Sequence, residues 1–147
     1  MKTLSWSAGI ALLTIALCVP SASAEKIKCQ RAIAKAGSQF VQAKVQALSK
    51  CETSKVTGKL PPLTVCLDEA KTDASITKAQ DKLKAAIGKG CGGTDKVCNG
   101  DPTEDTMVSL QWPANCPDFE HDQDPACTAP IKNCGDITAC IECVGEA

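Results

Sequence analysis

The sequence predicts an all-α fold: a disulfide-linked antiparallel helical hairpin, followed by a loop-rich, cysteine-stapled tail that ends in a short helix. Three observations carry this. Two Ala- and Lys-rich segments, 29–51 and 66–91, hold apolar residues at helical spacing and are each bounded by cysteines. An even set of ten cysteines runs from Cys29 to Cys143, which in an oxidising compartment reads as a framework of up to five bridges. Composition then changes at GKGCGG (residues 88–93), after which Pro102, Pro113, Pro117, Pro125 and Pro130 break up the chain.

The chain opens with Lys2, an apolar run from Ala8 to Val19, and Ala22-Ser23-Ala24 as small residues before a cleavage site. Residues 1–24 therefore read as a signal peptide, and the mature protein as secreted or periplasmic. The run is roughly 12 residues, short of the ~20 that span a bilayer, and nothing later is longer or more apolar. Cys18, the eleventh cysteine, leaves with this leader; Leu17 stands before it where a lipoprotein signal wants a small residue.

In the first half of the hairpin, Cys29, Ile33, Ala36, Phe40, Ala43, Ala47 and Cys51 recur every three or four residues, one face of an amphipathic helix. Lys35, Gln39, Gln42, Lys44, Gln46 and Lys50 fall mostly off that face. TGKLPPLT (residues 57–64) contains Gly58, Pro61 and Pro62 and ends the helix. The second helix carries Ile76, Ala79, Leu83 and Ala86 or Ile87 inward, and is expected to start near Asp73, with Asp73 as its cap. Cys29 and Cys51 would lie about 33 Å apart along one helix, too far to bond, and the same argument separates Cys66 from Cys91. Antiparallel packing instead brings Cys51 to Cys66 at the loop end and Cys29 to Cys91 at the open end.

Residues 25–91 carry a net charge of +7 and residues 92–147 a net charge of −9. The chain thus divides into a basic hairpin and an acidic tail, packed as one small domain. The tail cysteines, Cys98, Cys116, Cys127, Cys134, Cys140 and Cys143, allow fifteen connectivities and the sequence does not choose among them. Gly135-Asp136, followed by Ile137, Cys140, Ile141 and Val144, predicts a short helix with Asp136 as N-cap.

The cysteine-bounded helix pair resembles the double-bridged hairpins of small secreted α-hairpin peptides and of twin-cysteine coiled-coil-helix proteins, although its cysteines are much more widely spaced. It is more similar to uncharacterised cysteine-rich exported proteins of bacteria, through Cys29, Ile33, Ala34, Phe40, Leu48 and Cys51, then Lys78, Ala79, Lys82, Leu83, Ile87 and Cys91, with Cys140 and Cys143 in the tail. That resemblance implies a clamped helix pair and an exported location, and brings no activity with it.

CIECV (residues 140–144) is the one stretch that looks like redox chemistry. A thioredoxin-like C-x-x-C sits between a strand and a helix start, and neither the strand pattern nor a dipole-favoured thiolate beside Glu142 is present. Haem attachment needs His where Val144 stands. Zinc needs a second ligand pair, and there is one C-x-x-C and one His. Structural bridges are the expectation for both cysteines.

In DFEHDQD, Asp118, Glu120, Asp122 and Asp124 alternate like calcium ligands, but Gln123 and Ala129 stand where an EF-hand loop needs Gly and Glu. These four residues are weak metal candidates, and the reading preferred is an acidic loop facing the basic helices. His121-Asp122 resembles the dyad of secreted phospholipases, yet Pro117 and Pro125 exclude the long helix that dyad needs. No nucleophile motif, phosphate loop or dinucleotide fingerprint occurs, so neither a cofactor nor a catalytic residue is assigned. Arg31 is the only arginine and aromatics are scarce, which argues against nucleic acid. The expectation is an exported non-catalytic binding or structural module whose partner the sequence does not identify, an anionic surface met through the basic helices being one candidate. The alternative is redox or metal-dependent activity at the C-x-x-C or the acidic loop.

Overall fold

The computed structural model of the 147-residue chain describes residues 21–117 and 125–145. The acidic stretch from Asp118 to Asp124, with its candidate metal ligands and His121, lies outside the described residues, as do residues 1–20 of the expected leader. The architecture is all-helical. A long helix α1 (Ser21–Val56) and an antiparallel α2 (Ala70–Cys91) form the hairpin; α3 (Met107–Leu110), a 3₁₀ turn at Pro125–Thr128 and α4 (Cys134–Val144) make up the tail.

Helix α1 forms because it is rich in Ala, Lys and Gln, residues that lose little freedom in a helix. Cys29, Ile33, Ala36, Phe40, Ala47 and Cys51 are buried along one stripe. Lys44 departs from its expected place off that face. It is 7% exposed, and its Nζ donates to the Gly145 carbonyl at 2.7 Å.

The helix stops at Gly58, whose φ of +71° places it in the left-handed region. There Lys59 N–H donates to Ser54 O at 2.8 Å and Gly58 N–H to Lys55 O at 3.1 Å. This pair of bonds is a Schellman end, and glycine meets its φ requirement without steric cost.

Helix α2 begins earlier than its sequence suggests. Its N-cap is Glu69, not Asp73: the Glu69 carboxylate accepts Thr72 N–H at 2.8 Å and the Thr72 hydroxyl at 2.7 Å. Asp73 instead sits in the first turn, where its charge complements the helix dipole. Thr72, Ile76, Ala79, Leu83, Ile87 and Cys91 form its buried stripe. Near the open end, Gly90 lies directly against Ala32 of α1, so close that a Cβ at position 90 would overlap the alanine methyl. That approach lets the Cys29 and Cys91 Cα atoms come within 4.6 Å.

The tail folds back over the hairpin. Gln30 donates through Nε2 to Leu110 O at 3.1 Å, fastening α3 to α1. An isolated antiparallel bridge pairs Asn115 with Pro130, and Ile131 N–H donates to Ala114 O at 2.8 Å. Helix α4 opens on a capping box: Asn133 is the N-cap and accepts Gly135 N–H at 2.7 Å, while Asp136, at the third helical position, accepts Asn133 N–H at 3.1 Å. Asp136 is therefore the reciprocal partner of the cap and not the cap itself. Ile33, Phe40, Leu83 and Ile87 of the hairpin share one buried cluster with Met107, Leu110, Ile131 and Ile137 of the tail. Each such side chain contributes roughly 1.5–3 kcal/mol by leaving water.

Five disulfides brace this arrangement. Cys29 pairs with Cys91 and Cys51 with Cys66, the open end and the loop end of the hairpin. In the tail, Cys98 pairs with Cys134, Cys116 with Cys140 and Cys127 with Cys143. Every bridge stays on its own side of Gly92, so the hairpin and the tail are joined by chain connectivity and noncovalent packing alone.

Candidate binding groove and the C-x-x-C

The C-x-x-C is placed by α4. Cys140 and Cys143 are three residues apart, hence on one helix face, and that face is turned into the tail. They do not bond to each other. Their partners, Cys116 and Cys127, come from separate segments, with Cα atoms 5.5 and 5.4 Å away, and both C-x-x-C cysteines are buried, at 5% and 7% exposure. A dithiol redox centre cycles through a bond between its own two cysteines. Here α4 is a spine to which three segments of the tail are stapled through Cys134, Cys140 and Cys143.

Four of the described tail carboxylates, Asp95, Asp101, Glu104 and Asp136, are turned to backbone donors. Glu104 Oε1 accepts from the N–H groups of Asn99, Gly100 and Asp101. Asp101 accepts Thr103 N–H at 2.8 Å, and its hydrogen bonds with Thr103 hold its pKa below the ordinary carboxylate value. Asp136 accepts from Lys132 and Asn133 N–H. Among the described residues, no three His, Cys, Asp or Glu side chains converge as a metal site.

The hairpin has two unlike sides. On one, α4 lies over the seam between the long helices: Ile141 reaches Gly37, Phe40 is beneath Gly145, and Lys84 of α2 meets Glu142 at 3.7 Å. On the other, the seam is an open groove. Its first stretch, of about 380 Å³, is floored by Ala36, Phe40, Ala43, Ala79 and Leu83 and edged by Gln39, Ser75, Lys78 and Lys82. The second, of about 290 Å³, continues toward the loop between Ala47, Leu60 and Thr72, with Lys50, Lys59 and Lys71 at its edge; Ser75 belongs to both.

The five lysines of this groove are exposed, and none forms a salt bridge among the described residues. Among the described residues one carboxylate lines it, that of Glu69. It is occupied as the α2 cap, and its pKa is lowered mainly by the Thr72 hydroxyl and then by the backbone N–H groups of Lys71 and Thr72. The groove is therefore cationic along its length, with an aliphatic floor.

The basic character of the helices is legible in the sequence, but their division into a covered and an open side is not, because it depends on where α4 docks. No helix among the described residues is long and apolar enough to cross a membrane. No known protein family, curated protein or solved structure matches the chain.

Proposed function

We propose that the chain is an exported, non-catalytic binding module that meets an anionic partner through the basic side of its helical hairpin. The observation that carries this is the open groove, where Lys50, Lys59, Lys71, Lys78 and Lys82 form no salt bridge among the described residues, on a scaffold held by five disulfides. Surface cations on a rigid frame attract anions at long range and lose little entropy on binding. Placing every cysteine from Cys29 to Cys143 in a bridge suits an oxidising compartment. With the signal-like residues 1–24, it supports the exported reading.

The test is adsorption of the oxidised protein to a panel of anionic matrices, compared with a variant carrying Gln at the five groove lysines. Loss of adsorption with unchanged helicity is the expected result; adsorption that ignores these charges, or none by either protein, sinks the binding reading and leaves a structural role. Mass analysis of the exported product gives the second check. The chain should begin at Glu25, take up no alkylating reagent before reduction and take up ten equivalents afterwards, one per cysteine. Free thiols at Cys140 and Cys143 would instead revive the redox or metal alternative.

A further inference from the structure

We infer that the open groove between α1 and α2 is the docking site for an extended acidic peptide segment of a partner protein, one that alternates carboxylate and aliphatic side chains. This rests on the binding reading above and names the partner class. The first observation is shape: two stretches of about 380 and 290 Å³ share Ser75 and follow one seam. Along α1 they run from Ala36 to Ser54, about 27 Å at ~1.5 Å per residue. An extended peptide of roughly eight residues covers that distance.

The second observation is the lining. Lys50, Lys59, Lys71, Lys78 and Lys82 edge the groove, while its floor is mainly aliphatic carbon and the Phe40 ring, joined in the second stretch by Cys51 and Thr72. Carboxylates would meet the edge and aliphatic side chains the floor, the two faces an extended strand presents. Other polyanions fit less well. Bases of a single-stranded nucleic acid are recognised by stacking on open aromatic faces, whereas Phe40, the one ring in the groove, is 2% exposed, and an anionic polysaccharide has no aliphatic side chains to set on the floor. A lipid surface is met by a projecting apolar face, and this feature is concave.

The experiment uses the oxidised chain and a fluorescein-labelled eight-residue peptide of alternating Glu and Leu. A sulfated oligosaccharide and phosphatidylglycerol vesicles are run alongside. Saturable binding of the peptide is expected, weakened by added salt and weakened roughly tenfold or more in the K59E/K78E double variant, which reverses one charge in each stretch. K89E, on an exposed part of α2 outside the groove, should bind like the wild type, and the neutral K59Q/K78Q variant should fall between. Matching thermal melts show that each variant is folded.

Peptide binding that K59E/K78E leaves intact overturns the inference. So does binding of the oligosaccharide or the vesicles without the peptide, although the anionic-partner reading then stands. If none of the three probes binds, the inference and that reading fall together.

Discussion

At the scale of single residues, placement of charge decides more than its quantity. Lys44 is buried, and its ammonium reaches the carbonyl that ends α4. Truncation to Ala removes a charge-assisted hydrogen bond and the packed stem together. A loss of roughly 2–3 kcal/mol in denaturant unfolding is expected for Lys44→Ala, far more than for the exposed Lys35. The sequence could not reveal this, because the acceptor lies 101 positions away.

Two carboxylates make opposite pH predictions. The Glu69 pKa is lowered by its hydrogen bonds to Thr72, so its stabilisation is present above the unfolded carboxylate pKa and lost as pH falls through the folded one. Glu69→Ala should therefore lower Tm at neutral pH and converge with the wild type in strong acid. The Asp105 pKa is raised, first by burial and then by the Glu25 charge. Its penalty is absent below the unfolded pKa and complete above the raised folded one. Asp105→Asn should raise Tm at neutral pH, and the gain should vanish on acidification. Thermal melts across pH check both, and parallel curves for either variant would contradict its assignment.

At the scale of elements, the hairpin was legible and the caps were not. Helical period and the distance between cysteines on one helix left a single pattern for Cys29, Cys51, Cys66 and Cys91, since only antiparallel packing satisfies all four. The caps depend on a hydrogen-bond choice that neighbouring residues compete for: Glu69 prevails over Asp73 because Thr72 offers it two donors, and Asn133 prevails over Asp136 because the pair is reciprocal. The tail connectivity needed α4 itself, which aims three cysteines at three segments.

The two hairpin bridges should differ in worth. Loop entropy for a separation of 62 residues gives about 4 kcal/mol for Cys29–Cys91, against about 3 kcal/mol for Cys51–Cys66 at 15 residues. Paired Cys→Ser variants compared in guanidinium should show that order. Gly90→Ala tests the contact at the open end. Helix propensity alone favours Ala by about 1 kcal/mol, but the methyl would strike Ala32, and overpacking costs about 1–3 kcal/mol. A lower midpoint for the variant is expected, and a higher one would mean the helices separate freely there.

At the scale of the whole molecule, disulfides and core divide the chain differently. The bridges split it at Gly92, as charge does, yet the buried cluster runs without interruption from Ile33 and Phe40 to Leu110 and Ile137. Which division governs cooperativity turns on energy. The tail has little apolar material of its own to enclose, with Met107, Leu110, Ile131 and Ile137 as its chief buried aliphatics. They share one buried cluster with Ile33, Phe40, Leu83 and Ile87 of the hairpin, so the tail should not outlast it on heating.

The chain carries its own probes for this. Once residues 1–24 are removed, Trp112 is the only tryptophan and lies in the tail, whereas far-ultraviolet circular dichroism is dominated by α1 and α2. For the oxidised chain from Glu25 onward, the two signals should melt together, as a single cooperative unit requires. If the Trp112 transition came well before the loss of helix, the tail would be a separate unit docked on the hairpin, and the open and covered sides of the seam could exchange.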